Sequence, residues 1–231
     1  MTKNIKTLIR RAAGVFCLGG MMLSAGIFTS CTEKDNTVEE FADWQSKNET
    51  YWNKLYTATQ QKIKSGDTSW KIILNYSYQN QKQTSGSALT YSPEDYIIAH
   101  VEQAGAGTTS PLYSDSVSMH YMGRLIPSTT YTSGLIFDKS WSNDTFNATT
   151  SRPNHSYIGL SYDSKGKPIS LVDGFTTALM SMHRGDHWTV YIPHQLGYGT
   201  SASGTVPAYS TLIFDLRLVD FSHPGTKLKD S

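Results

Sequence analysis

Apolar and polar positions change their rhythm several times along this chain, and the changes mark its elements. From about residue 38 to 64, Phe41, Trp44, Tyr51, Trp52, Leu55, Tyr56 and Ile63 recur mostly at three- and four-residue steps. That spacing predicts a helix with an aromatic stripe. SGDTS then interrupts it. SWKIILNYSYQ (69–79) is β-prone and predicts a strand, QNQKQTSGSA a polar loop, and YIIAHVEQAG a second strand ending in a glycine-rich turn. DSVSMHYMGRL (115–125) alternates, with Val117, Met119 and Tyr121 on one face and Ser116, Ser118 and His120 on the other. SWSNDTFNATTSRPNHS has no period and predicts a long loop.

Helical spacing returns in SLVDGFTTALMSMHRGD, where Phe175, Leu179 and Met182 share a face and Gly185 sits where a C-terminal glycine would end a short helix. HWTVYIP predicts a strand, and STLIFDLRLVDF (210–221) a strong one. Strands early and late with a short helix between them give an α+β class. The stripe on the first helix is expected to cover the edge of its own domain; the alternative is a homodimer or partner contact through 38–64.

The first thirty residues stand apart. Lys3, Lys6, Arg10 and Arg11 precede the apolar run AAGVFCLGGMMLSAGIF, which is short for a membrane span. Thr29-Ser30-Cys31 resembles the end of a bacterial lipobox, with Phe28 where leucine is usual. The expectation is a signal peptide over 1–30 cleaved before a lipidated Cys31, a polar acidic tether beginning TEKDNTVEE, and a bacterial envelope location on a membrane, the outer one favoured. An ordinary secretory peptide or an uncleaved anchor is the alternative. The only cysteines are Cys17 and Cys31, so a mature domain lipidated at Cys31 would hold together without disulfides.

The remaining composition narrows the function. A formal net charge of +1 over 231 residues gives no electrostatic case for nucleic acid as a partner. His183 and His187 lie four apart with His194 nearby, but Gly185 separates the first two, and a metal site needs three or four convergent ligands; no metal and no cofactor are expected. No nucleophile elbow, phosphate loop or CxxC motif occurs.

Four stretches resemble one family in order and spacing. VSMHYMGRL resembles the V-x-V-H-Y-x-G-x-L strand of FKBP-type peptidyl-prolyl isomerases, and GLIFDKS their G-x-x-F-D-S-S. LVDGFTTALMSMHRGDHWTVYIPHQLGYG is similar to V-I-x-G-W-x-x-A-L-x-x-M followed by I-P-x-x-L-A-Y-G. GTVPAYSTLIFDLRLVDF is similar to the closing I-P-P-N-S-T-L-x-F-x-V-E-L. The resemblance covers about 90–222, leaving 31–89 as an N-terminal tether and helix/strand extension and 223–231 as a tail.

The resemblance implies a twisted antiparallel half-barrel wrapped on one short helix, with an apolar pocket between them. It implies roles for Asp138, Tyr198 and Tyr121 as catalytic groups, with Asp138 bonded to Tyr121. It implies substrate contacts from Phe137, Leu171, Val172, Phe175 (where tryptophan is usual), Phe214 and, on a flap, Val206. The partners implied are proline-containing polypeptides. Plain core packing is the alternative for Tyr121, Phe137 and Phe214, which lie on apolar strand positions. Asn154 and Ser156 stand where phenylalanines are common and predict a thinner, more polar wall. That departure keeps a non-catalytic peptide-binding or adaptor module in play. A third reading puts the function in the 38–85 segment, with the rest as scaffold.

Overall fold

The computed structural model describes residues 39–79, 81 and 89–228. The leader, Cys31, the start of the tether and most of the 79–88 loop lie outside the described residues.

Helix α1 (Trp44–Lys64) begins about six residues inside the 38–64 span that the stripe predicts, after a turn at 40–43. Its stripe packs within the chain: Trp44 and Trp52 are buried. The Trp44 indole N–H donates to Ser210 Oγ at 2.8 Å, and Asn48 Oδ1 accepts from the Thr211 N–H at 2.7 Å. Removing a buried donor's partner costs about 1–3 kcal/mol, so these bonds fix the helix against the segment that feeds the last strand.

Strand β1 (Trp70–Leu74) is shorter than the β-prone run, which turns at 76–79. It pairs with β2 (Tyr96–Gln103), the two antiparallel. Then come β3 (Ser116–Arg124), β4 (Ile136–Lys139), β5 (Asn154–Tyr157), the small strands β6 (Ser161–Tyr162) and β7 (Pro168–Ile169), helix α2 (Asp173–Ser181), β8 (His187–Ile192) and β9 (Leu212–Ser222). The main sheet runs β1-β2-β8-β9-β3-β4, with β5 also pairing with β3, while β6 and β7 form a separate hairpin. Every pairing is antiparallel. The sheet is open, not a closed barrel.

α2 lies across one face of this sheet. Phe175, Ala178, Leu179 and Met182 meet Ile97, Ala99, Val190 and Leu216 in a single core. Gly174 admits the helix's first turn, because a Cβ there would stand 2.3 Å from Ile192 Cγ2. The helix ends at Ser181, with Met182 extended. Gly185 is therefore not its C-terminal glycine. It sits in a later turn at φ +89, where its N–H donates to Leu218 O at 2.8 Å.

The alternation in β3 also needs correction. Ser118 and His120, on its polar face, are buried as well. The long loop after β4 folds over that face: Trp141 is buried, the Phe146 ring lies 4.8 Å from His120, and Arg217 stacks 4.4 Å from Phe146. An apolar pair spaced five apart in a polar loop carries no period, so the sequence concealed this cover.

Candidate active site

Three phenylalanines make the floor of a cavity between α2 and the sheet. Phe175 and Phe214 meet edge-to-face at 4.8 Å, and Phe137 meets Phe214 at 5.6 Å. Such pairs add about 0.5–1.5 kcal/mol beyond the area they bury. Gly123, in the HYMG segment of β3, makes the cluster possible. A Cβ there would fall 2.5 Å from the Phe137 ring and 2.7 Å from the Phe214 ring.

A bulge aims the next residues. On β4, Asp138 pairs with Gly123 while Ile136 pairs with Arg124, which leaves Phe137 unpaired between them. A bulge of this kind re-aims side chains. Adjacent Phe137 and Asp138, which would face opposite ways on a regular strand, both line the cavity.

The cavity holds about 150 Å³. Tyr121, Phe137, Asp138, Phe175 and Phe214 form one side, and Leu171, Val172 and Tyr198 converge on them. Eight of the nine pocket residues implied by the resemblance thus come together. Val206 does not. The Ser203 and Val206 backbones exchange hydrogen bonds of 2.9 Å across a tight hairpin, and the valine side chain is buried in the core. Met119, Ser170 and Asn154 complete the lining. Met119 was legible as a strand residue on the same face as Tyr121, whereas Ser170 had no signal of its own.

The polar groups sit at the edge of the apolar floor. The Tyr121 hydroxyl donates to Asp138 Oδ2 at 2.8 Å. Asp138 itself is exposed, so water reaches the carboxylate while the phenol is half-buried. Burial, then the bond to Asp138 and its charge, push the Tyr121 pKa well above a tyrosine's usual value. Tyr198 is also raised, by burial first and then by Asp138. Both phenols therefore stay protonated, and able to donate, across the physiological range.

Tyr198 stands at the mouth, 41% exposed. The short 3₁₀ turn His194–Leu196 precedes it. The Gly199 N–H reaches back to His194 O at 2.8 Å, and Gly199 O accepts from the Tyr209 N–H at 2.9 Å. Gly199 has φ +66, a conformation that favours glycine. The flanking glycines thus let the chain reverse while it holds one large phenol outward.

Val172 caps α2 in extended backbone, and its carbonyl accepts from the N–H groups of Phe175 and Thr176. Its own N–H donates to no backbone carbonyl among the described residues. The positive end of α2 is thus directed at the cavity. The histidines take separate partners: His187 pairs with Asp215 at 2.8 Å, and the His194 ring meets Tyr209 edge-to-face at 5.3 Å.

Comparison with known proteins matches residues 107–219 to the family model for FKBP-type peptidyl-prolyl cis-trans isomerase. The chain is 34% identical over 149 residues to the macrophage infectivity potentiator of Trypanosoma cruzi, covering 64% of this chain and 63% of that one. It is 31% identical over 125 residues to the peptidyl-prolyl cis-trans isomerase Mip of Coxiella burnetii, covering 52% and 42%. It is 28% identical over 129 residues to the FKBP-type isomerase FkpA of Escherichia coli, covering 54% and 37%. The chain thus spans less than two thirds of each relative's length. With its four motifs brought together around one cavity, the 107–219 segment matches the family of FKBP-type peptidyl-prolyl cis-trans isomerases.

Proposed function

We propose that the chain catalyses cis–trans isomerisation of X–Pro bonds in polypeptides, in the cavity between α2 and the sheet. The observation that carries this reading is an apolar aromatic floor edged by hydrogen-bond donors. Twisting a peptide bond is opposed by a barrier of about 18–20 kcal/mol because resonance is lost. Uncatalysed X–Pro isomerisation takes tens to hundreds of seconds. No nucleophile or metal is needed to lower that barrier; preferential binding of the twisted amide is enough.

Phe175, Phe214 and Val172 accept the proline ring. The twisted carbonyl is less polar than the planar one, so a floor without water favours it. The Tyr198 hydroxyl and the Val172 N–H hold carbonyls of the substrate while the bond turns. Tyr121 and Asp138 act together: the carboxylate fixes the phenol that closes one side of the cavity.

The same reading places the 90–222 segment as the catalytic domain and 31–89 as an extension that braces it. Cys31 is the lipidation site and the anchor to a bacterial envelope membrane, the outer membrane favoured. α1 spends its buried aromatics on its own domain, which leaves little apolar surface for a homodimer. A peptide-binding module without catalysis is the second reading, favoured by Asn154 in the cavity wall.

Isomerisation of a short X–Pro peptide by the purified chain and by a Tyr198→Phe/Asp138→Ala double variant tests the proposal. Acceleration by the native chain that the variant loses is expected. A folded native chain that accelerates nothing turns the reading over to the binding module.

A further inference from the structure

Eleven large hydrophobic side chains are exposed among the described residues, and six of them, Leu112, Tyr113, Tyr157, Leu160, Tyr162 and Ile169, fall on just two segments. These segments touch. A Cβ on Gly159 would lie 2.7 Å from Tyr113 O and 2.8 Å from its ring. Asp115 fastens both: its carboxylate accepts from the Leu112 N–H at 2.8 Å and its backbone carbonyl from the Ile158 N–H at 3.0 Å. Tyr113 also stacks on Tyr76 at 5.4 Å. Clustered exposed apolar surface of this kind marks an interaction site more often than scattered residues do.

The patch is continuous with the cavity. Asn154, at the start of β5, lines it, and so do Ser170 and Leu171, which directly follow β7. Residues 155–169 therefore leave the pocket wall and return to it, with the β6–β7 hairpin as the excursion. Its turn is fixed: Asp163 Oδ1 accepts from the Lys165 and Lys167 N–H groups at 2.9 and 2.8 Å, and Gly166 takes φ +75. A fixed hairpin that keeps Tyr162 and Ile169 in water has no packing reason to carry them.

We propose that this rim is a second contact for the same client, taking apolar side chains of an unfolded polypeptide near the proline held in the cavity. The inference rests on the polypeptide-binding reading of that cavity. Ile169 directly precedes Ser170 of the cavity lining, and Tyr162 pairs with Pro168, two residues before it. An extended chain advances about 3.3 Å per residue, so the residues gripped lie within roughly two or three positions of the proline. The client class is an extended chain with aliphatic or aromatic residues at that spacing, such as a protein not yet folded.

The test compares the native chain with Tyr162→Ser/Ile169→Ser. These side chains are 64% and 51% exposed, so the core is not breached, and circular dichroism checks the fold. One probe is a blocked X–Pro tetrapeptide, too short to reach the hairpin. The other is a fluorescein-labelled, reduced and carboxymethylated protein that cannot fold, read by anisotropy. The expected result is kcat/KM on the tetrapeptide within about twofold of native, and affinity for the unfolded chain about tenfold weaker. Tyr162→Phe/Ile169→Val is expected to retain that affinity. Unchanged affinity in the serine variant, an equal loss on both probes, or a native chain that binds no unfolded protein would each overturn the proposal. A native chain that turns over no tetrapeptide yet binds the unfolded protein through the hairpin would sink the isomerase reading and leave the rim standing.

Discussion

The two walls of the cavity are built on different principles. The wall of β3, β4, β9 and α2 is aromatic and interlocked, with Phe214 in ring contact with Phe137, Phe175 and Tyr121. The wall from β5, which pairs with β3, and the approach to α2 is more polar and open, with Asn154 and Ser170 beside Leu171 and Val172 at the cavity. A close-packed wall fixes the shape that a twisted amide must match, since packed cores deform little. A polar wall lets water in, and the hairpin beside it offers contact without enclosure. A fixed aromatic side and a more open, more polar side thus belong to one pocket.

The largest effect should separate the walls by stability. Phe214→Ala removes the ring on which the others lean, and large-to-small core changes of this type cost about 3–5 kcal/mol. Asn154→Ala, on the open wall, should stay within about 0.5 kcal/mol. Urea denaturation measures both. Equal losses would mean that the polar wall is as structural as the aromatic one.

Next comes chemistry on the packed side. Asp138→Ala takes the acceptor from the half-buried Tyr121 hydroxyl. Bonds to charged groups are worth about 1.5–3 kcal/mol, so kcat/KM on a short X–Pro peptide should fall about tenfold to a hundredfold. An Asp138→Ala enzyme as fast as the native one would reduce the pair to packing.

How much of this difference could be seen in the sequence follows from what each wall is made of. The aromatic wall is written in residue types at fixed spacing, so Phe137, Asp138, Phe175, Tyr198 and Phe214 could be named in advance. The bulge that turns both Phe137 and Asp138 inward could not, because it is a matter of register. β5 has the sequence NHSY, which shows no strand pattern; its place comes from backbone pairing to β3 rather than from burial. Val206 was placed on a flap by motif position, yet its hairpin turns the side chain into the core, and a motif does not specify side-chain direction. The β6–β7 hairpin had only Asp163 and Gly166 as turn signals, with too few flanking residues to establish a period.

Titration of the phenol distinguishes a desolvated wall from a wet one. Tyr121 holds its proton more tightly folded than unfolded, by burial first and then Asp138. Its contribution to stability is therefore complete below the unfolded value near pH 10 and is lost as pH rises above it. Between pH 9 and 11 the native chain should lose about 1 kcal/mol more than Tyr121→Phe, a figure already reduced for the solvent that reaches the ring. Parallel curves for the two proteins would mean that the Tyr121 side of the cavity is as wet as its rim.

The smallest effect reverses the comparison by making the open wall resemble the packed one. Asn154 is exposed on an edge strand, so Asn154→Phe meets no steric barrier from a close-packed neighbour, and its ring can lie over the cavity opposite Phe175. One added aromatic contact is worth about 0.5–1.5 kcal/mol in a buried pair. Half-exposed, it should deliver the lower part of that range, raising kcat/KM on a short peptide about threefold. If the polar wall exists to admit varied clients, the same substitution should give no gain on an unfolded protein, whose flanking residues already find the hairpin. A threefold gain on both substrates would mean instead that the open wall is a weakness of this pocket, with no advantage for longer chains.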